Sequence, residues 1–306
     1  KDDVIKCFNK TDVFPFLPDY ENIYIVGNIF ITASNLNALR RKVYGVLFNV
    51  ITNRGRVEIH PKFNIPVNIN VNNNKKAVIA TSFNSIMLDI IVLKPNDYCQ
   101  NFNEFDNFKG EKFIYLPPYL SGEQINYILP FIDKFDGIYC DGYYGLYLSN
   151  KLGKSFFAGT GFNLSNTVSQ SQLNCKYVCL SKELTYQEIK PLIANNTFYL
   201  TAGNVKVMDL IYCPFEKTCS VCDKLNAYEM TDENGRVFPL RRYNCTQCLF
   251  EVYNCADLIT ENNATGKLYD FTLLNNPNEL LKFAESNQLK TKFNSYTKGH
   301  GFNPIL

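Results

Sequence analysis

Short, unbroken apolar runs recur along the middle of the chain, and segments with helical spacing separate them. The runs are Ala77–Ala80, Ile90–Leu93, Phe113–Leu116, Gly137–Cys140, Phe156–Ala158, Tyr177–Leu180 and Phe198–Thr201. Strands that are covered by helices on both faces of a sheet have this composition. Between two of the runs, Gly122–Phe135 has Ile125, Ile128 and Ile132 on one helical face. The alternation predicts βα units and a mostly parallel sheet, either an open doubly wound sheet or much of a (β/α) barrel.

The N-terminal part of the chain lacks this alternation. An apolar, β-branched run at Ile23–Ile31 predicts a strand, and the spacing from Asn35 to Val50 predicts a helix with Ser34 as its cap. Alternating apolar residues and two prolines over Val57–Val71 are typical of edge strands. The polar run Asn72–Lys76 marks a boundary. We therefore predict three regions: 1–75, irregular and β-rich with one helix; 76–204, barrel-like; and 205–306, cysteine-rich with a C-terminal tail.

Composition and charge narrow the class of protein only slightly. Hydrophobic residues make up 46% of the 306 residues and the net charge is +2, which is ordinary for a globular protein and gives no general attraction to nucleic acid. No stretch approaches the roughly 20 apolar residues that span a bilayer, so no membrane association is expected. The N-terminus, KDDVIKCFNK, lacks the apolar core of a signal peptide. We therefore expect a cytoplasmic protein with free thiols.

Cysteine spacing gives the strongest chemical signal in the sequence. Cys213 is followed by the pair Cys219 and Cys222, and later by the pair Cys245 and Cys248. A C-x-x-C pair places two thiols on one turn, and thiolates are preferred ligands of zinc and of iron–sulfur clusters. In a cytoplasmic chain this spacing favours a metal site over disulfides. Spacing alone slightly favours a zinc ribbon built from the two pairs, which leaves Cys213 unexplained, and an iron–sulfur cluster is the alternative.

Seven short segments, in order along the chain, resemble the motifs of one protein family. They are SNLNALRR at 34–41, FNLSN at 162–166, LSKEL at 180–184, YCP at 212–214, TDENGRVFPL at 231–240, CLFEVYN at 248–254 and TKGH at 297–300. The family is peptidase family U-thirty-two, the collagenase-like peptidases, and the segments are similar to the C-terminal half of its large members. No single segment is specific, and their number and order carry the resemblance.

The resemblance implies a TIM-barrel-like α/β fold, partial or complete, with a cysteine-rich metal-binding subdomain and an irregular N-terminal region. It also implies that Cys213, Cys219, Cys222 and Cys248 bind a 4Fe-4S cluster rather than zinc, which leaves Cys245 as a spare thiol. Members of the family take part in oxygen-independent or prephenate-dependent hydroxylation of ribosomal RNA, transfer RNA or ubiquinone precursors. Its large members also carry an N-terminal barrel half, so RNA and a protein that supplies this half are the expected partners.

Three functions stay open at this point. The leading hypothesis is an iron–sulfur protein that acts in RNA hydroxylation. The second is a collagenase-like peptidase, although the chain has only His60 and His300, and neither lies in a recognisable protease motif. The third is a non-catalytic partner subunit with a structural zinc or iron–sulfur site. No catalytic residue is predicted. Glu183 follows a predicted strand, where barrel enzymes place their chemistry, but it could equally cap the next helix. Arg241 and Arg242 either contact RNA or are solvated charges of a hairpin.

Overall fold

The computed structural model describes residues 1–11, 14–16, 18–20, 23–55, 73–82, 88–98, 102, 108–215, 219, 221–260 and 266–302. The chain divides into two compact units, Lys1–Phe63 and Asn64–Leu306. The edge strands predicted within Val57–Val71, and His60 with them, lie outside the described residues.

Two helices form the regular structure of the first unit over its described residues: α1 (Asp2–Phe8) and α2 (Ala33–Asn53). The Thr32 hydroxyl caps α2 by accepting a hydrogen bond from the Asn35 amide at 3.3 Å. The predicted helix is therefore confirmed, with its cap at Thr32 instead of Ser34. The strand predicted at Ile23–Ile31 is wrong, because this segment has no regular structure and exposes its apolar side chains to solvent.

The described residues of the second unit form two β-sheets, five further α-helices and three short 3-10 helices, Thr160–Phe162, Lys190–Leu192 and Leu289–Thr291. The strands are β1 (Lys76–Ala80), β2 (Ile90–Leu93), β3 (Glu111–Leu116), β4 (Gly137–Cys140), β5 (Ser155–Ala158), β6 (Tyr177–Cys179), β7 (Thr197–Gly203), β8 (Lys206–Leu210), β9 (Ala227–Thr231), β10 (Val237–Cys245), β11 (Gln247–Tyr253), β12 (Asp257–Ile259), β13 (Gly266–Asp270) and β14 (Tyr296–Thr297). The helices are α3 (Gly122–Ile132), α4 (Tyr143–Leu152), α5 (Thr167–Gln172), α6 (Tyr186–Ile189) and α7 (Pro277–Glu285). No helix among the described residues is both long and apolar enough to cross a membrane.

Eight parallel strands close into a barrel that helices surround. Strands β1 to β7 pair in sequence order, and β13 pairs in parallel with both β7 and β1. The barrel is therefore complete, and the open doubly wound sheet is excluded. All seven predicted strands are present, while β13 comes from the region that we assigned to the cysteine-rich segment. The division predicted at residue 204 thus separates the eighth barrel strand from the other seven.

Two apolar layers hold the barrel together, because successive side chains of a strand point to opposite sides. One layer fills the interior and is rich in aromatic rings: Phe157 packs against Phe198 with ring centroids 5.0 Å apart. The other layer joins the outer face of the strands to the helices, where Ile128 and Ile132 of α3 are fully buried. A capping box of Ser121 and Gln124 begins α3, with the hydroxyl and the amide each bonded to the other residue's backbone.

A four-stranded antiparallel sheet is inserted between the last two barrel strands in sequence. Its order is β8-β11-β10-β9, and it connects β7 to β12 and β13. The hairpin predicted after the turn at Asp232–Gly235 is confirmed as β9 and β10. Asp232 fixes that turn, because its carboxylate accepts hydrogen bonds from the backbone amides of Asn234 and Arg236.

Gly203 offers a direct test of barrel closure. It ends β7 with φ of +112°, and an added Cβ would lie 2.7 Å from the carbonyl carbon of Asp270 in β13. We expect Gly203→Ala to lower the free energy of unfolding by at least about 2 kcal/mol, because both the left-handed backbone and the close strand contact resist a side chain. Urea unfolding measures the loss. Gly122→Ala is the matched control, since a Cβ at Gly122 meets open space, and a loss of equal size there would contradict the prediction.

Candidate functional site

A cavity of about 410 Å³ lies at the C-terminal ends of the barrel strands and is bordered by the inserted sheet. Lys94 and Asp141, which line it, directly follow β2 and β4, and Asp270 ends β13. Because all eight strands run in the same direction, the residues that follow them meet at one face of the barrel. Active sites of barrel enzymes are built at this face.

Two stacked tyrosines occupy one side of this cavity, next to an ion pair between Lys206 Nζ and Asp141 Oδ2, 3.5 Å apart. The rings of Tyr115 and Tyr139 lie 5.3 Å apart. The Tyr115 hydroxyl donates to Oδ2 of Asp141 at 2.9 Å and accepts from Nζ of Lys206 at 2.8 Å. The Gly161 amide donates to Oδ1 of Asp141 at 3.0 Å, and a Cβ at Gly161 would lie 2.5 Å from the Asp141 Cβ. The loop after β5 therefore packs closely against Asp141 and fixes the position of its carboxylate.

The carboxylate of Glu251 lies fully buried between barrel and sheet. Arg241 Nη1 lies 2.9 Å from its Oε2, and Lys94 Nζ lies 3.0 Å from its Oε1. The Tyr253 hydroxyl also donates to Oε2 at 2.9 Å. Burial alone would raise the pKa of Glu251, but the positive charges of Lys94, Arg241 and Lys206 hold that pKa well below its usual range. Glu251 is therefore an anion around which the surrounding cations are arranged.

Arg241 joins the inserted sheet to the loop that follows β2. Its guanidinium donates to the backbone oxygens of Lys94 and Pro95 at 3.1 and 2.6 Å, and to Oδ1 of Asn96 at 3.1 Å. Arg241 and Arg242 are only 2% and 9% exposed. The hypothesis that this pair forms solvated hairpin charges is therefore wrong.

Lys94 is a buried amine at the edge of the cavity. Its Nζ lies 2.7 Å from the Tyr253 hydroxyl and 4.2 Å from the centroid of the Tyr115 ring. Burial lowers the pKa of Lys94, and Glu251 opposes that shift only in part. The pKa of Lys206 changes in the opposite direction: burial would lower it, but Asp141, Glu251 and Asp209 raise it.

Three further acidic residues line the same cavity. Burial raises the pKa values of Asp209 and Asp270, although Lys206 counteracts part of the shift at Asp209. Glu183, which the sequence places just after a predicted strand, is exposed and lies at the edge of this cavity. The cavity thus combines amines, phenols and carboxylates, which are the side chains that carry out general acid–base chemistry.

Cys213, Cys219, Cys222 and Cys248 line a second cavity, of about 190 Å³. It lies on the other face of the inserted sheet, because Arg242 lines it while the neighbouring Arg241 faces the barrel. The ten described cysteines are all free thiols. The structure thus brings together the four cysteines that the family resemblance selects.

Hydrogen bonds from one arginine connect the two cysteine segments. Arg242 Nε donates to the Cys248 sulfur at 3.2 Å, and Arg242 Nη1 donates to the Lys224 carbonyl at 3.1 Å. The Lys224 amide in turn donates to the Cys222 sulfur at 3.4 Å. Cys245 is fully buried in the apolar core on the opposite face of the sheet, so the zinc ribbon of two C-x-x-C pairs does not form around this cavity.

Among the described residues, no group of three or more histidine, cysteine, aspartate or glutamate side chains is arranged to hold a metal ion. The four thiols line one cavity without forming such a group. His300 lines neither of the two cavities described here.

Comparisons with known proteins add no relative for this chain. No family model, no curated protein and no solved structure matches it. Its resemblance to family U-thirty-two thus stands on the seven sequence segments alone.

The buried charges at the barrel mouth are the residues that the sequence reasoning missed. Lys94 and Asp141 each carried a usable signal, because a charged residue that directly follows a buried parallel strand lies at the functional face of a barrel. Glu251 carried no such signal in the sequence. It lies within a mostly apolar strand, and only the fold shows that Arg241 is opposite to it in register.

Replacing Glu251 tests the ion-pair cluster. We expect Glu251→Gln to lower the free energy of unfolding at pH 7 by about 3–5 kcal/mol, because it leaves buried cations without their counterion. Since the folded protein holds the pKa of Glu251 below its ordinary value of 4.5, this contribution is present above that pH and is lost as the pH falls below it. The difference between wild type and variant should therefore shrink from pH 7 to pH 3 in urea unfolding.

The matched control is Glu279→Gln, which removes an exposed carboxylate 3.2 Å from Lys292. We expect Glu279→Gln to lower the free energy of unfolding by less than about 1 kcal/mol. A loss for Glu251→Gln that is no larger, or that does not change with pH, would contradict the assignment.

Proposed function

We propose that this chain is an iron–sulfur enzyme of family U-thirty-two that takes part in the hydroxylation of ribosomal RNA, transfer RNA or a related substrate. In this proposal Cys213, Cys219, Cys222 and Cys248 hold a 4Fe-4S cluster, and the barrel cavity holds the reacting group.

The observation that carries the proposal is the shared cavity of these four cysteines. Thiolates are the usual ligands of iron–sulfur clusters, so the donor set suits the group. A single zinc ion needs four ligands that converge to about 2.3 Å from one point. A cluster of four irons and four sulfides is larger, and its ligands surround a cavity. The shared cavity supports one group bound by all four thiols, and the family resemblance is the reason for choosing the cluster over zinc.

The position of the two cavities supports a role for both in one reaction. They lie on opposite faces of the inserted sheet, where Arg241 and Arg242 are neighbours in β10. When bound, a cluster supplies one-electron redox chemistry. On the barrel side, Tyr115, Asp141 and Lys206 form a hydrogen-bonded chain that can hold and move a proton.

The barrel closes with strands from this chain alone. A partner that brings the N-terminal half of the large family members would therefore add to a complete barrel, and RNA remains the other proposed partner.

Cysteine replacement tests the cluster. We expect anaerobically purified protein to be brown, with broad absorption near about 400 nm and stoichiometric iron and acid-labile sulfide. Cys219→Ala should lose the absorption, because one of four ligands is removed. Cys245→Ala should keep it, because Cys245 lies in the core on the other face of the sheet. A colourless protein with one zinc, or equal loss in both variants, would contradict the proposal.

Nucleoside mass spectrometry of a deletion strain tests the substrate. We expect a hydroxylated nucleoside of ribosomal or transfer RNA to disappear on deletion and to return with the wild-type chain or with Cys245→Ala. The Cys219→Ala chain should not restore it, because the cluster is needed for the chemistry. An unchanged hydroxylation profile in the deletion strain would rule out RNA as the substrate.

A further inference from the structure

We propose that Lys94 is a nucleophilic lysine that binds an aldehyde or ketone substrate covalently, as an imine, in the barrel cavity. This inference goes beyond the proposed hydroxylation function and does not depend on the cluster. It rests on the position of the amine, on the charges around it and on the hydroxyl next to it.

The position of Lys94 suits a reaction with a small molecule. The residue directly follows β2, lines the cavity of about 410 Å³ and is only 1% exposed. Pockets of this size enclose small organic ligands. Ile79, Leu200 and Leu268 add apolar surface to the lining. An amine in such surroundings is desolvated, and desolvation favours its neutral, nucleophilic form.

The charges around Lys94 do not cancel the effect of its desolvation. Burial lowers the pKa of Lys94, the carboxylates of Glu251 and Asp270 raise it in part, and the cations Lys206 and Arg241 lower it. Three cations share the carboxylate of Glu251: Arg241 at 2.9 Å, Lys94 at 3.0 Å and Lys206 at 3.8 Å. Lys206 has a second carboxylate, that of Asp209, at 3.0 Å. Arg241 stays protonated in proteins. Lys94 is therefore the cation that most readily becomes neutral, with Arg241 left to balance Glu251.

The reaction needs no oxidant or reductant. The Nζ lone pair of neutral Lys94 attacks the carbonyl carbon and forms a C–N bond, while the C=O π electrons move to oxygen, which takes up a proton. The resulting carbinolamine loses water, and a C=N bond replaces the C–O bond. The Tyr253 hydroxyl, 2.7 Å from Nζ and 2.9 Å from Glu251 Oε2, provides a path for the protons that leave and enter.

Reductive trapping tests this proposal. The full-length protein is incubated with glyoxylate as the probe and with cyanoborohydride, which reduces an imine to a stable carboxymethyl amine. Peptide mass spectrometry then gives the rate of modification at each lysine. A lowered pKa leaves a larger share of the Lys94 amine unprotonated at neutral pH, so we expect Lys94 to be modified several-fold faster than Lys154.

Lys154 is the internal reference. It lies at the opposite end of the barrel, where its Nζ donates to the Phe135 carbonyl at 2.9 Å. Modification of Lys94 at no more than the rate of Lys154 would overturn the proposal and leave Lys94 as a structural ion-pair partner.

Two tyrosine variants test the proton path. Tyr253→Phe should slow modification of Lys94 several-fold. Tyr199→Phe should not, because its buried hydroxyl lies 3.3 Å from the Leu184 carbonyl, on the other side of the barrel wall. Equal rates at Lys94 in both variants would exclude Tyr253 as the proton path. The same trapping experiment on the Cys219→Ala protein separates the two proposals. If this variant lacks the cluster and Lys94 still reacts, the imine proposal stands independently of the cluster.

Discussion

The carboxylate of Glu251 is the point at which the inserted sheet and the barrel depend on each other. A buried charge is tolerated only when partners compensate for its desolvation. Here Arg241 comes from the sheet, and Lys94 comes from the barrel. Arg241 also binds the backbone of the loop that carries Lys94. Neither element can therefore move far without exposing an unpaired charge, and the cavity wall is held in one position.

Strand alternation explains how one sheet serves two cavities. Arg241 and Glu251 are opposite each other in register and face the barrel, while the next pair, Arg242 and Phe250, faces the cysteines. The two environments differ sharply in kind, since one is a network of charges and phenols and the other is lined by thiols. Adjacent residues along β10 thus line separate cavities, because successive side chains of a strand point to opposite faces.

Sequence reasoning predicted the features that are local in the chain. Buried strands such as Ile90–Leu93 are continuous apolar runs, so their pattern is visible without the fold. Strand β13, by contrast, reads GKLYD, and only its pairing with β7 and β1 makes it a barrel strand. The strand predicted at Ile23–Ile31 is absent, although the segment is apolar. An apolar composition alone does not form a strand when no neighbouring strand pairs with the segment.

The candidate site also has a part that the sequence predicted, the cysteines, and a part that it did not, the buried charges. Spacing located the cysteines, and the family resemblance selected Cys213 over Cys245, but neither described the charge network. Arg241 looked like a surface charge because it lies in a predicted hairpin beside another arginine. Its burial follows from Glu251, ten residues later and opposite to it in register, and no local pattern records such a pairing.

The position of β13 has a consequence for how the chain acquires its fold. Lys76 of β1 pairs with Lys267, so the first barrel strand has no β13 neighbour until the chain has been synthesised past residue 267. Until then β1 and β7 each present a free edge, and free edges can pair with strands of other molecules. The segment that forms the inserted sheet is also synthesised before β13. Closure is thus a late and long-range event, and contacts between residues far apart in sequence form slowly.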